Sequence, residues 1–246
     1  YARCDSYFSN SELAATGLPQ GKELALLDEF RDQLPASVFE VEWHTPTTNA
    51  ENSLRDNLKK ARDLLAAAGW TVQDRVLKNP QGQALEIDVK LVQKGFDRIF
   101  APYAHNLKKL GIDMNYRTVD DSLYKRRMDN FEFDMVVTSF PQSVSPGNEL
   151  MNMFHSQAVE MNGSRNLPGI ADPVVDALIE KIINAEDREA LVVAAHALDR
   201  VLLHGEYLVP NWYIDAHRIA YRDKFNMPQT LPLYFEPVTW LLKTWW

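Results

Sequence analysis

The stretch Phe133–Lys181, FDMVVTSFPQSVSPGNELMNMFHSQAVEMNGSRNLPGIADPVVDALIEK, decides how the fold is interpreted. Its first eight residues form an apolar, partly β-branched run of strand length that ends at Pro141. Proline cannot donate to a sheet ladder, so we expect the strand to stop there. In α/β domains, ligands usually meet the protein where a buried strand ends. The residues after Pro141 are therefore the first candidates for a recognition surface.

Two loops rich in hydrogen-bonding side chains follow this strand, one on each side of a short helical pattern. An arginine fork suits a ligand carboxylate, and serine or asparagine can hydrogen-bond a peptide-like backbone. The alternatives are a plain turn with a helix cap at 145–149 and an arginine that pairs within its own domain. We interpret the loops as a binding surface without chemistry. The candidate ligand-binding residues are Phe140, Gln142, Ser143, Ser145, Asn148, Ser164, Arg165 and Asn166.

The patterns before and within this stretch alternate between strand and helix. Strands are predicted at 85–91, 112–118 and 133–140, where apolar residues alternate or run together. Between them lie a helical stripe at 96–110 closed by Gly111, and a short helix to Met128 capped by Asp120 or Asp121. This order predicts an α/β fold with a mixed, mostly parallel sheet flanked by helices.

Further elements are predicted on both sides of this core. Helices are expected at 22–34, 52–68, 173–182 and 187–204, with Ser53 or Asn52 and the Asp172-Pro173 pair as starts and Gly69 and Gly205 as stops. Val38–His44 alternates as an extended segment. The tail from Tyr207 is aromatic, includes Tyr234 and Phe235, and is expected to be extended.

Composition and charge exclude several classes of protein. The net charge of −8 and the pI near 5.3 argue against a nucleic-acid partner, because phosphate binding needs an excess of Lys and Arg. The single cysteine, Cys4, excludes an intrachain disulfide. The sequence has no apolar run of about 18 residues of the kind that spans a membrane. Because the chain begins at Tyr1 without a signal region, we expect a processed or partial polypeptide.

Local catalytic and metal-binding signatures are missing from the sequence. It contains no GxSxG, GxxxxGK[ST], GxGxxG or HExxH motif, and its six histidines include no pair four residues apart. His196 and His204 lie eight residues apart on one predicted helix, too far to share an ion. A nucleophile and base that meet only in space stay possible. We therefore expect a protein that is not an enzyme and that uses neither a cofactor nor a metal.

Four segments together resemble a known family. They are LKKARDLLAAAGW, KLGIDMNYRTVDDSLYKRRMDNFEFDMVV, SRNLPGIADPVVDALIEKIINAEDREALVVAAHALDRVLL and VPNWY. In this order and spacing they resemble the C-terminal lobe of the extracellular solute-binding proteins of the oligopeptide, dipeptide and nickel class, the capture components of bacterial ABC importers. SYFSNSELAATGLPQGKELALLDEF and FPQSVSPGNEL point to the subgroup of microcin C and oligopeptide binders. The resemblance covers roughly residues 50–222.

The resemblance implies a type II periplasmic-binding fold in which two lobes enclose the ligand. Residues 1–50 would then be a hinge or linker from an absent N-terminal lobe, 51–215 the ligand-binding C-terminal lobe, and 216–246 an aromatic tail returning to the other lobe. The implied partners are a peptide or peptide-like ligand and an inner-membrane permease, and the implied protein is a periplasmic monomer. Phe140 would pack on the ligand and Arg165 would pair with its acidic group. Some peptide-binding members have an aspartate where Ser143 stands, which favours a subgroup that handles the ligand amine differently.

Two other functions remain open at this point. A peptide or amide hydrolase would need a nucleophile or metal site that the local sequence does not show. A peptide-sensing module that works without a transporter would need only the binding surface.

Overall fold

The computed structural model describes residues 1–232 and 236–246, so Tyr234 and Phe235 of the expected aromatic tail lie outside the described residues. The chain divides into two compact units, residues 5–209 and residues 1–4 with 210–246. In chain order the elements are β1 (Ala2–Arg3), α1 (Gly21–Asp28), α2 (Ser37–Glu40), α3 (Leu54–Ala67), β2 (Thr71–Gln73), β3 (Val76–Lys78), β4 (Glu86–Leu91), α4 (Asp97–Lys108), β5 (Asp113–Thr118), α5 (Asp121–Asp129), β6 (Met135–Val136), α6 (Glu149–Phe154), α7 (Pro173–Ile183), α8 (Arg188–His204), β7 (Trp212–Tyr213) and α9 (Pro237–Thr244).

The main sheet has the order β5-β4-β6, and both pairings are parallel. Val89 of β4 lies opposite Tyr116 of β5 and Met135 of β6. The β-α-β-α-β prediction is therefore confirmed. The main sheet is wholly parallel, and the antiparallel pairs β1–β7 and β2–β3 form two separate two-stranded sheets.

The third strand is much shorter than the predicted 133–140. β6 comprises only Met135–Val136, because its partner strand β4 ends at Leu91, one residue beyond the Lys90–Val136 pair. Tyr124 Oη donates to Val137 O at 2.7 Å, and Arg165 Nη2 donates to Ser139 O at 2.7 Å. The loop after the strand therefore begins at Val137 and not at Pro141.

The sheet is packed against α4 and α3 in two adjoining apolar clusters. Val89, Leu91 and Met114 bury one face together with Phe100 of α4. A second cluster joins Leu110, Ile112 and Leu77 of the β2–β3 hairpin, against which α3 packs. The hairpin was not predicted from the sequence, because its two connecting residues, Asp74 and Arg75, adopt positive φ without the Asn-Gly or Asp-Gly pair that signals such turns.

Most of the predicted helix ends are confirmed. Ser53, Asp120, Asp172 and Asp187 each accept a hydrogen bond from a backbone N–H of the first helical turn. Gly69 and Gly111 adopt left-handed φ after their helices, whereas Gly205 does not. The prediction for Val38–His44 is wrong in its first part, because a helical turn, α2, starts after Pro35 and buries Val38.

The second core of residues 5–209 is helical and contains much of the N-terminal segment. α7 and α8 pack against each other and against four apolar residues of the N-terminal segment. These residues, each no more than 1% exposed, are Phe8, Leu13, Leu27 and Val38. The division between the two compact units lies beside residues 4 and 209. The domain bounds implied by the resemblance remain predictions.

Two consecutive buried charges on α8 bind the N-terminal segment. Asp199 accepts hydrogen bonds from Tyr7 N at 2.8 Å and Ala15 N at 2.9 Å. Arg200 donates to Glu23 Oε1 at 2.7 Å and to Gly17 O at 2.7 Å. Burial raises the pKa of the Asp199 carboxyl to about 6, although these hydrogen bonds favour its charged form.

The tail forms the smaller unit with residues 1–4. β7 pairs antiparallel with β1, and Tyr1 contacts Trp212 edge to face. The tail is not extended throughout, because Glu236 caps α9 by accepting from Val238 N and Thr239 N and Pro237 occupies its first turn. Among the described residues, no helix has the length and apolar character needed to cross a bilayer.

Gly111 offers a test of the packing between the hairpin and α4. A Cβ at this position would lie 2.7 Å from Leu77 N, in addition to the strain of φ +83°. Gly82 has φ +80° but nothing within 4 Å of such a Cβ, so Gly82→Ala is the matched control. We expect Gly82→Ala to lower the free energy of unfolding by about 1 kcal/mol and Gly111→Ala by roughly 3 kcal/mol, as measured by urea denaturation. Equal losses would contradict the described contact.

Asp199 should make stability depend on pH. Its folded pKa of about 6 lies above the ordinary value of 3.8, so the folded state holds the proton more tightly. The stability that this carboxyl contributes is therefore greatest below pH 4 and is lost as the pH rises through 6. At higher pH it no longer changes. We expect the unfolding free energy of the wild type, measured against Asp199→Asn, to fall by roughly 2 kcal/mol between pH 4 and pH 7. A difference that does not change with pH would contradict the raised pKa.

Candidate functional site

Phe140 fixes the beginning of the first candidate loop. Its ring centroid lies 5.5 Å from that of Phe154 and 6.2 Å from that of Tyr7, and Tyr7 meets Phe154 edge to face at 5.4 Å. Aromatic rings at these separations attract each other beyond the area that they bury. Phe140 is thus half-buried against the helical core, and its contact with a ligand remains a prediction.

The residues after Phe140 differ in how their side chains are bonded. Ser143 Oγ accepts a hydrogen bond from Ser145 N at 3.1 Å, and Ser143, Ser145 and Asn148 are exposed. Gln142 is half-buried, and its amide Oε1 and Nε2 are both shielded from solvent without a hydrogen-bond partner among the described residues. Such groups are rare in proteins because each costs about 1–3 kcal/mol. The unpaired amide is the most unusual polar feature of this loop.

Arg188, at the start of α8, also contacts this loop and was not predicted from the sequence. Its Nη1 donates to Val144 O at 2.5 Å and to Ser145 Oγ at 3.4 Å. Its Nε donates to Glu12 Oε1 at 2.9 Å. These partners lie 43, 44 and 176 residues away along the chain, so no local pattern could have revealed them.

Two candidates in the second loop have structural hydrogen bonds. Ser164 Oγ donates to Ala158 O at 2.7 Å. Asn166 is fully buried, and its Nδ2 donates to His155 O at 3.1 Å and Ile170 O at 2.8 Å, while its Oδ1 accepts from Ile170 N at 2.8 Å. Both side chains therefore lie in the interior of the loop, and their hydrogen bonds stabilise its conformation.

Arg165 joins the two candidate loops. Its backbone N–H is held by the carbonyl and the side-chain oxygen of Asn152, each at 3.1 Å. Its Nη2 donates to Ser139 O, immediately before Phe140. The two candidate loops therefore meet at this point. The ligand contacts assigned to the eight candidate residues remain predictions.

A serine, a histidine and an aspartate meet beside the second loop, but their connections differ from those of a catalytic triad. Ser156 donates both its N–H and its hydroxyl to the carboxylate of Asp176. His155 Nδ1 accepts from Gln157 N at 3.1 Å, so that nitrogen carries no proton for Asp176 at 3.5 Å. A triad needs the serine hydroxyl bonded to the imidazole, which is not found here.

Metal ligation also finds no support in the described part of the chain. No group of three or more His, Cys, Asp or Glu side chains there is placed to hold an ion.

Asn166→Asp tests the structural role of the second loop. A carboxylate at this position would face two carbonyl oxygens, and it would be buried without a positive partner. We expect the variant to lose roughly 3 kcal/mol of unfolding free energy at pH 7. Asn162→Asp is the matched control on the exposed part of the same loop and should lose less than about 0.5 kcal/mol. Similar unfolding midpoints for the two variants would contradict the buried hydrogen bonds.

Two proteins of similar sequence have names that describe binding. The "Probable peptide-binding protein YejA" of Agrobacterium fabrum is 41% identical over 235 residues, 95% of this chain and 38% of that protein. The "Peptidoglycan-binding protein YepA" of the same species is 32% identical over 247 residues, 100% of this chain and 40% of that protein. The chain thus spans about two-fifths of the length of these relatives.

The fold is also found among solved structures. The oligopeptide-binding protein AppA from Bacillus subtilis, solved in complex with a nonapeptide, matches 84% of this chain and 41% of its own, with a TM-score of 0.59 and 20% identity. At this identity the likeness shows the fold, which is that of a fragment of a type II periplasmic binding protein.

A family model that matches the sequence identifies the protein family of this chain. The family model described as bacterial extracellular solute-binding proteins, family 5, middle part, matches residues 29–162, which is more than half of the chain. This match confirms the resemblance noted in the sequence. The chain therefore belongs to the bacterial extracellular solute-binding proteins of family 5.

Proposed function

We propose that the chain is part of the periplasmic substrate-binding component of an ABC importer for peptides or peptide-like compounds. Membership of an extracellular solute-binding family supports a binding role outside the cytoplasm. The names of two relatives, one peptide-binding and one peptidoglycan-binding, support a ligand that contains peptide groups. Binding would favour a closed state that an inner-membrane permease recognises, because the ligand has a higher affinity for that state.

The observation that carries the proposal is the unpaired amide of Gln142. A primary amide offers an N–H donor and a C=O acceptor side by side, and a peptide group offers the complementary pair. Both atoms are shielded in the structure, so the side chain would turn outwards to bond a ligand backbone, and those bonds would remove the cost of leaving the amide buried and unpaired. Ser143, exposed next to it, can add a hydroxyl contact. The chemistry that fits this position is therefore a peptide backbone.

The other candidates have secondary roles in this proposal. Arg165, which already binds Ser139 O, would pair with an acidic group of the ligand. Phe140 would support the loop from within the core and contribute only its exposed edge to the ligand. The ligand-binding lobe would comprise residues 5–209, the larger compact unit, which includes most of the expected 51–215. The hinge segments, residues 1–4 and 210–246, would lead to a second lobe in a protein as long as the relatives.

Native mass spectrometry of the full-length protein purified from its own cells tests this function. We expect a bound species that is released on denaturation and has the mass of a peptide or of a peptide linked to amino sugars, which distinguishes the two sources named by the relatives. The protein is then incubated with a random nonapeptide pool. Recovery of the pool uncut supports a binding protein, whereas cleavage products would support the hydrolase alternative. Failure to retain any peptide-containing species would contradict the proposal.

Gln142→Leu tests the central contact. The substitution keeps the approximate size and removes the unpaired amide, so the unfolding midpoint without ligand should stay the same or rise. We expect the Kd for the random nonapeptide pool, measured by calorimetry on the full-length protein, to rise about tenfold, or about 1.4 kcal/mol. Gln81→Leu, at an exposed turn of the β3–β4 connection, is the control and should change neither quantity. A loss of stability with unchanged affinity would make Gln142 a structural residue.

A further inference from the structure

Arg188 connects three parts of the chain through one side chain. Its Nη1 reaches Val144 O and Ser145 Oγ, and its Nε and Nη2 both bind Glu12 Oε1. A guanidinium is a rigid planar group, so hydrogen bonds from one of its edges fix the direction in which the other edge donates. The position of Val144 and Ser145 is therefore tied to the start of α8 and to the segment around Glu12.

The loop that contains Gln142 is consequently held at two points. The first is Phe140, which packs against the rings of Tyr7 and Phe154. The second is the Val144–Ser145 pair held by Arg188. Only residues 141–143 lie between these points, and three residues with fixed ends have few conformations. Arg188 therefore limits the directions in which Gln142 and Ser143 can face.

The ion pair with Glu12 gives Arg188 little importance for stability. The side chains of Arg188 and Glu12 are 41% and 52% exposed, and exposed pairs of this kind contribute at most about 1 kcal/mol. The same end of α8 carries another exposed pair, Lys22 with Glu189 at 2.7 Å, which does not touch the loop in any hydrogen bond described. Both pairs are exposed to solvent, and only the Arg188 pair contacts the loop, so Lys22 serves as the control.

We propose that Arg188 is a positioning residue for ligand recognition, which holds residues 141–145 in the conformation that presents Gln142 and Ser143 to a peptide backbone. The proposal rests on the function proposed above. It assigns to Arg188 no contact with the ligand and no role in global stability. Lysine should not replace it, because a single ammonium cannot bind Glu12, Val144 O and Ser145 Oγ in the fixed directions of the fork.

Hydrogen exchange of the full-length protein without ligand tests the positioning itself. The informative group is the backbone N–H of Ser145, which donates to Ser143 Oγ. We expect its exchange to be about tenfold faster in Arg188→Lys and Arg188→Ala than in the wild type, with unfolding midpoints equal to that of Lys22→Ala. Unchanged exchange at Ser145 would overturn the proposal, whatever the protein binds. A fall in the midpoint alone, with unchanged local exchange, would also overturn it.

Calorimetric titration with the random nonapeptide pool tests the consequence for binding. Arg188→Lys should raise the Kd at least tenfold, whereas Lys22→Ala should leave it unchanged. Glu12→Gln, which removes the charge partner but keeps both bonds to the loop, should raise it less than threefold. Faster exchange with an unchanged Kd would overturn the role in recognition. If the wild type binds no peptide, the proposed function is refuted, and the role of Arg188 in recognition with it. The hydrogen-exchange result would still show whether Arg188 holds the loop.

Discussion

The structure depends most on the two adjacent buried charges of α8, Asp199 and Arg200. Between them they bind the backbone of Tyr7, Ala15 and Gly17 and the carboxylate of Glu23. Buried charges are costly unless they are fully bonded, so these contacts strongly restrict how residues 5–23 can lie on the helix. Tyr7 is placed in this way against Phe140, from which the candidate loop continues. A short polar contact inside the helical core thus determines where the recognition surface begins.

The two candidate loops are held by hydrogen bonds from side chains. Tyr124 and Arg165 bind carbonyl groups just beyond Val136, where β6 ends and the chain leaves the sheet. Asn166 replaces missing backbone partners in the second loop with its amide. The parallel sheet provides a rigid base, and polar side chains on neighbouring elements position the loops above its edge.

The features that could be predicted from the sequence are those that depend on residues close together in the chain. The helix caps at Ser53, Asp120 and Asp172 and the glycine stops at 69 and 111 act within one turn, so their residue types reveal them. The parallel sheet follows from the order of its elements. By contrast, the Asp74-Arg75 turn carries no usual turn residue, and the fork of Arg188 depends on partners far apart in the chain. The side chains of Ser164 and Asn166 can form hydrogen bonds by residue type, but their burial, and hence their partners within the loop, cannot be seen in a list of residue types.

The antiparallel pairing of β1 with β7 has a consequence for folding and for evolution. Ala2 lies opposite Tyr213, so this pairing closes a loop of about two hundred residues, whose entropic cost favours its late formation. Because the strands leading into and out of residues 5–209 run side by side, that segment enters and leaves its surroundings at one place. A segment with neighbouring ends can be inserted into another chain, or permuted by joining its ends, without a change to its internal packing. The pairing of β1 with β7 therefore gives residues 5–209 the neighbouring ends that such a transfer requires.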